Sequence, residues 1–279
     1  MKSPTVSVGW LNKNLSKPNL IILDASLANN ISNLKSDYEN IRIVGARFFD
    51  IKNKFSDKTS DMPNTLLQPQ DFERECQALG INQDSKIVVY DNLGIYTAAR
   101  VWWMFKAMGH HDIAVLNGGL PEWINKEFST EPIENQNFIK GNFKANSNKN
   151  LKRDRQDILE NINSKEALVL DARSEGRFHG TAPEPRARLS SGHIPNSMSL
   201  PYTKVLNDGK LKNEEELKAI FDDLNIADRP LIFSCGSGLT ACITMLAAEM
   251  VNQNHKSVYD GSWTEWAQKQ TDLIHKTSQ

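Results

Sequence analysis

The chain is written twice, and this constrains its fold before any motif is considered, because an internal repeat sets the architecture. Leu20-Ile21-Ile22-Leu23-Asp24-Ala25 recurs as Ala167-Leu168-Val169-Leu170-Asp171-Ala172, which places Asp24 and Asp171 147 residues apart. Gly45-Ala46-Arg47-Phe48-Phe49 has its counterpart in Gly192-His193-Ile194-Pro195-Asn196 at the same spacing. Ile87-Val88-Val89-Tyr90 matches Leu231-Ile232-Phe233-Ser234, each followed by Thr-Ala and a long apolar segment. Asn117-Gly118-Gly119-Leu120-Pro121-Glu122-Trp123 matches Asp260-Gly261-Ser262-Trp263-Thr264-Glu265-Trp266, now 143 residues apart. Ordered matches of this kind point to a tandem duplication, and 279 residues suit two domains.

Within each half, short apolar runs alternate with longer stretches of helical period, such as Ala98 to Met108 and Ala241 to Val251. The pattern predicts an α/β fold: two tandem domains, each a parallel sheet flanked by helices. Phe128 to Asn150 is polar and has no apolar period, so an interdomain linker is expected there, packed along the surface. The expected boundaries are 1–135 for the first domain, 136–150 for the linker and 151–279 for the second domain. Lys152 to Asn163 is expected to be the second domain's first helix, with Ile158, Leu159 and Ile162 on its apolar face.

Charge and composition exclude several functions. A formal net charge of −1 supplies no basic field for nucleic acid or an anionic membrane, so neither partner is expected. No stretch approaches the roughly 20 apolar residues of a membrane span, and Met1 to Gly9 lacks a basic-then-apolar leader, so the cytoplasm is the expected compartment. Three cysteines, Cys76, Cys235 and Cys242, without CxxC spacing suggest neither a disulfide framework nor a metal site, and no motif calls for a cofactor.

Duplicated copies often keep chemistry in only one, so the turns after the Ile87 and Leu231 runs deserve comparison. The second reads Cys235-Gly236-Ser237-Gly238-Leu239-Thr240 before a helix, and the first reads Asp91-Asn92-Leu93-Gly94-Ile95-Tyr96-Thr97, without a cysteine. A cysteine at a strand end, in a tight glycine-containing loop and just before a helix, is expected to face converging N–H dipoles that favour a thiolate or persulfide. Cys242, inside the helical run, is expected in the core, and Cys76 is expected to be partly buried.

In these features the whole chain resembles the tandem-domain rhodaneses. The supporting stretches are Val101-Trp102-Trp103-Met104-Phe105, Asn117-Gly118-Gly119, Asp171-Ala172-Arg173, Gly192-His193-Ile194-Pro195 and Asp260-Gly261-Ser262-Trp263. The loop Cys-Gly-Ser-Gly-Leu-Thr-Ala is similar to that of 3-mercaptopyruvate sulfurtransferases. The resemblance implies a six-residue active loop, Cys235 to Thr240, with Cys235 carrying sulfur as a persulfide and Ser237 assisting. Phosphatases of similar fold close a longer loop with an arginine, and here that position is Ala241, so no guanidinium clamps a phosphate. Thiosulfate-preferring relatives carry basic residues after the cysteine, whereas Gly236 and Ser237 are uncharged. The resemblance therefore leans to 3-mercaptopyruvate, its carboxylate and carbonyl held by Arg177 and Arg186, with Gly236, Gly238, Leu239 and Thr240 lining the site. A guanidinium fork suits a carboxylate. Arg188 is expected on the surface.

One departure stands out. The mercaptopyruvate enzymes place an acidic residue and a histidine of the first domain near the serine, and the matching positions here are Lys52 or Asn53, and Asn64. No titratable relay is expected, and His193, His110 and His111 do not replace it. Two other readings stay open: a thiosulfate sulfurtransferase, and a persulfide carrier or scaffold with little free turnover. The expected partners are a small-molecule sulfur donor and a thiol or cyanide acceptor, with thioredoxin among the thiols, and the expected state is a monomer.

Overall fold

The computed structural model describes residues 1–276. The chain divides into two compact units. Unit 1 comprises Met1–Lys58, Leu66–Asn148 and Asp208–Leu211; unit 2 comprises Thr59–Thr65, Lys149–Asn207 and the chain from Lys212 onward.

Unit 1 contains strands β1 (Thr5–Val6), β2 (Leu20–Asp24), β3 (Ile41–Ile43), β4 (Arg47–Phe48), β5 (Lys86–Tyr90), β6 (Ile113–Leu116) and β7 (Thr130–Pro132). Its helices are α1 (Val8–Asn14), α2 (Pro69–Ala78), α3 (Ala98–Ala107) and α4 (Gly119–Asn125). Five strands form one parallel sheet in the order β1-β6-β5-β2-β4, while β3 and β7 pair antiparallel beside it. Ile22, Leu23, Val88 and Val89 are buried, as the continuous apolar runs require of strands covered on both faces. Nine of the ten residues of α3 are buried, so it reads as an apolar segment rather than an amphipathic one.

Unit 2 repeats the plan. Its strands are β8 (Lys152–Arg153), β9 (Leu168–Asp171), β10 (Ser197–Ser199), β11 (Leu206–Asn207), β13 (Leu231–Ser234) and β14 (Lys256–Tyr259), while β12 (Lys210–Leu211) lies in the 208–211 excursion that belongs to unit 1. Its helices are α5 (Arg155–Ser164), α6 (Glu175–His179), α7 (Glu214–Asp223), α8 (Ala241–Val251) and α9 (Ser262–Lys269). The parallel sheet runs β10-β9-β13-β14-β8, with Asp171 and Ser234 side by side at the carboxyl ends of β9 and β13. Helix α5 begins at a capping box in which Asp154 and Asp157 satisfy each other's backbone N–H groups. It starts three residues later than the sequence pattern suggests, with Ile158 buried as expected.

Two expectations are corrected. Cys76 is fully buried rather than partly so, and burial pushes its thiol well above the ordinary range. The stretch 136–150 is not a surface linker throughout: unit 1 keeps it as far as Asn148. The N–H of Gly141 donates to Gln77 O at 2.8 Å, that of Asn146 to Met108 O at 2.8 Å and that of Asn148 to Ala107 O at 2.7 Å. Phe143 is completely buried, its ring 5.9 Å from Phe72, 5.8 Å from Phe105 and 5.7 Å from His110. A single anchoring ring in a polar run has no period, which is why the pattern misses it.

Truncation of that anchor, Phe143→Ala, should cost unit 1 about 3–5 kcal/mol, read as a lower midpoint in chemical denaturation. Burial also lowers the His110 imidazole below its ordinary value. A base held neutral in the fold takes up its proton more readily when unfolded, so its contribution is complete above the unfolded value of about 6.5 and lost as pH falls below it. His110→Phe should flatten the decline of thermal stability between about pH 7 and 5.

Candidate active site

The turn from β13 into α8 brings the expected loop, Cys235 to Thr240, to the carboxyl edge of the unit 2 sheet, the place where open α/β sheets bind ligands. Helix α8 starts at Ala241, so its N-terminal partial charge faces the loop. Gly238 takes a φ of 78°, a left-handed conformation that a side chain would strain, and its carbonyl accepts the Cys242 thiol at 3.3 Å. Cys242 is thereby a core residue, as expected.

Helix α9 fixes the other side of the loop. The first N–H groups of a helix lack partners within it. Here Trp263 N–H donates to Cys235 O at 2.9 Å, Thr264 N–H to Gly236 O at 3.1 Å, and Thr264 Oγ1 to the same Gly236 carbonyl at 2.6 Å. In a trans peptide the carbonyl and the next N–H point in opposite directions. The N–H groups of Gly236 and Ser237 are therefore turned away from α9. Ser262 completes the support, accepting Cys235 N–H at 3.4 Å and donating to Tyr259 O at 2.8 Å.

Cys235 is 1% exposed and Ser237 4%, while Gly236 is only half-buried, so the loop opens at Gly236. Both expected arginines stand at that opening. A methyl group placed on Gly236 would lie 3.0 Å from Arg177 Nη2 and 3.5 Å from Arg186 Nη1. Arg186 is half-buried, and Arg188 is exposed, as expected for a surface residue. Leu239 is buried, and Thr240 caps α8 without a side-chain bond to it.

Arg177 is not held alone. Its Nε donates to Glu184 Oε1 at 3.1 Å and its Nη2 to Glu184 Oε2 at 2.6 Å. Arg173 Nη1 reaches the same Glu184 Oε1 at 2.7 Å, and its Nε and Nη2 form a fork on Asp171 at 3.0 and 2.6 Å. Arg173 Nη2 also donates to Gly192 O at 2.7 Å, and its guanidinium lies over the Trp263 ring at 4.0 Å. The side chains of Arg173, Asp171 and Glu184 are at most 2% exposed. Burial opposes the Arg173 charge, but Asp171 and Glu184 outweigh it and hold the guanidinium above its ordinary range. Sequence reasoning missed this network; the available signals were the Asp171-Ala172-Arg173 motif and a glutamate lying between two site arginines.

Asn64, from the 59–65 excursion that belongs to unit 2, donates its Nδ2 to Ser237 Oγ at 3.1 Å and to Ser237 O at 3.2 Å. An amide therefore stands against the serine, as the departure noted in the sequence requires. His193 lies elsewhere, stacked on Phe178 with ring centroids 4.2 Å apart.

The rhodanese-like domain model matches residues 7–126 and again 154–269. The chain belongs to the rhodanese family. It is 38% identical over 278 residues to the 3-mercaptopyruvate sulfurtransferase of Mus musculus, spanning 94% of this chain and 91% of that protein. It is 39% identical over 273 residues to the thiosulfate sulfurtransferase of Rattus norvegicus, again spanning 94% and 91%. The crystal structure of SseA from Escherichia coli, a 3-mercaptopyruvate sulfotransferase, superposes with a TM-score of 0.82 at 33% identity, over 94% of this chain and 99% of that one. With relatives of this closeness along its length, the chain is a sulfurtransferase. The matched ranges reproduce the duplication read from the sequence, while the position of the first and second units' short excursions is new.

Removing Glu184 would leave Arg173 with an unpaired buried N–H and Arg177 without its fork. Glu184→Ala should lower unit 2 stability by about 3–5 kcal/mol, measured by thermal and chemical denaturation.

Proposed function

We propose that the chain moves sulfur from 3-mercaptopyruvate, through a persulfide on Cys235, to a thiol or cyanide acceptor. The observation that carries this reading is the pair of guanidinium groups, Arg177 and Arg186, beside the opening at Gly236, next to a loop that contains no cation of its own. Such a site takes a ligand with a carboxylate at one end and sulfur at the other. The arginines hold the carboxylate and carbonyl by charge-assisted hydrogen bonds, and the sulfur is left over Cys235.

In the first step the Cys235 thiolate attacks the donor sulfur. The new S–S bond forms as the C–S bond breaks, and the bonding pair moves onto carbon to give the enolate of pyruvate. Both sulfurs of the persulfide are thereby oxidised by one unit each, the carbon is reduced by two, and a proton converts the enolate to pyruvate. In the second step an acceptor thiolate takes the outer sulfur and restores the Cys235 thiolate; cyanide in the same step leaves as thiocyanate. This is covalent, double-displacement catalysis. The N-terminus of α8 and the N–H groups turned from α9 favour the anionic sulfur. Ser237 Oγ already accepts a hydrogen bond from Asn64, so its own proton remains for the donor's carbonyl oxygen.

Thiosulfate is the second donor to consider, since a relative of equal similarity is a thiosulfate sulfurtransferase. Intact-protein mass after incubation with 3-mercaptopyruvate should show one added sulfur on the wild type, removed by dithiothreitol and accompanied by pyruvate. Cys235→Ser should show neither. An unmodified wild type that gains sulfur from thiosulfate would transfer the assignment to that donor.

A further inference from the structure

Unit 1 holds a cavity of about 510 Å³ at the carboxyl edge of its own sheet, within the size range of small-molecule sites. Its wall is made by Asp24 at the end of β2, the segment from Ser26 to Asn40, and Asn92 just after β5. The same number of residues separates Asp24 from Gly45 as separates Asp171 from Gly192, so this wall aligns without a gap on the stretch of unit 2 that carries the arginines. Ser26 stands where unit 2 has Arg173, Asn30 where it has Arg177, and Glu39 where it has Arg186. After the central strand, Asn92 stands where unit 2 has Gly236. The cavity thus occupies, in unit 1, the position of the arginine site, with each guanidinium replaced by a neutral or acidic group.

The two aspartates make the same turn. Ser26 N–H donates to Asp24 Oδ1 at 2.9 Å, and Arg173 N–H donates to Asp171 Oδ1 at 3.0 Å. They differ in what meets the rest of the carboxylate. Asp171 receives a guanidinium fork, whereas Asp24 receives the hydroxyls of Ser26 and Tyr90. Asp24 is 3% exposed, and burial raises its carboxyl above the ordinary range despite those hydroxyls. The two cations of the wall do not replace the fork. Arg42 is committed to Glu131 at 2.8 Å and to Glu134 O at 3.1 Å, and Lys35 is exposed.

We propose that this cavity binds a small organic cation, whose guanidinium or primary ammonium group sits on Asp24 as Arg173 sits on Asp171. Glu39 adds a second anion, and the carboxamide oxygens of Asn33 and Asn92 are suited to accept the remaining N–H groups. Phe48, Leu34 and Ile133, 48%, 42% and 49% exposed, offer an apolar rim for the carbon skeleton of the ligand.

The test is calorimetric titration of the full chain with methylguanidinium chloride, and separately with sodium propionate. The cation should bind saturably and at least tenfold more tightly than the anion, with affinity rising as pH is raised and the Asp24 carboxyl, held above its ordinary range by burial and by the neighbouring Asp91, ionises. Asp24→Asn, verified as folded by its thermal transition, should weaken the cation at least tenfold. Ser26→Arg, which supplies the side chain found in unit 2, should fill the cavity and abolish binding; if that variant does not fold, Asp24→Asn decides. Equal binding of propionate, or cation binding unchanged in Asp24→Asn, would overturn the proposal.

Discussion

Four buried or half-buried charges in alternating order, Asp171, Arg173, Glu184 and Arg177, organise the functional end of unit 2. The row is electrically balanced, which is the condition for keeping ions away from water, and each link is a short hydrogen bond as well as an ion pair. It ties the end of β9 to the segment between α6 and β10, and the Gly192 carbonyl and the Trp263 ring hold Arg173 from two further sides. Arg177 reaches the loop because this row ends there. The loop is held in turn by α9, whose first residues supply both Trp263 for the stacking and the N–H groups for the Cys235 and Gly236 carbonyls.

Duplication supplied the scaffold twice and divergence used it differently. Asp91 replaces Cys235 in unit 1 and spends its carboxylate on backbone N–H groups of its own turn, those of Leu93, Tyr96, Thr97 and Ala98, at 2.8–3.0 Å. A carboxylate that rigidifies a turn in this way stabilises one conformation and leaves no nucleophile. The copies differ again at Ser26 and Arg173: unit 2 sets a guanidinium on its aspartate, and unit 1 sets a hydroxyl on the matching one, beside its cavity.

The sheet strands, the central helices and the six-residue loop were legible in the sequence because apolar runs, helical periods and glycine turns are local signals repeated in two registers. Cys235, Ser237, Arg177 and Arg186 were singled out from the loop and the resemblance, and the fold places the two arginines beside Gly236, between Cys235 and Ser237. What escaped was non-local. Glu184 joins Arg173 and Arg177 across turns with no period, Phe143 is one ring in a polar stretch, and residues 59–65 belong to unit 2 although the chain around them belongs to unit 1. None of these is written in a pattern of neighbours, since each depends on where the backbone returns.

The proposed reaction requires the donor carboxylate to be held by Arg177 and Arg186 beside Cys235. The most direct measurement is kcat/KM for 3-mercaptopyruvate and for thiosulfate, in the wild type and in Arg177→Lys, which keeps the charge and removes the fork. The wild type should prefer 3-mercaptopyruvate, and Arg177→Lys should lower its kcat/KM for that donor at least tenfold while thiosulfate changes less. A wild type that prefers thiosulfate, or an Arg177→Lys variant that loses both donors equally, would contradict that requirement.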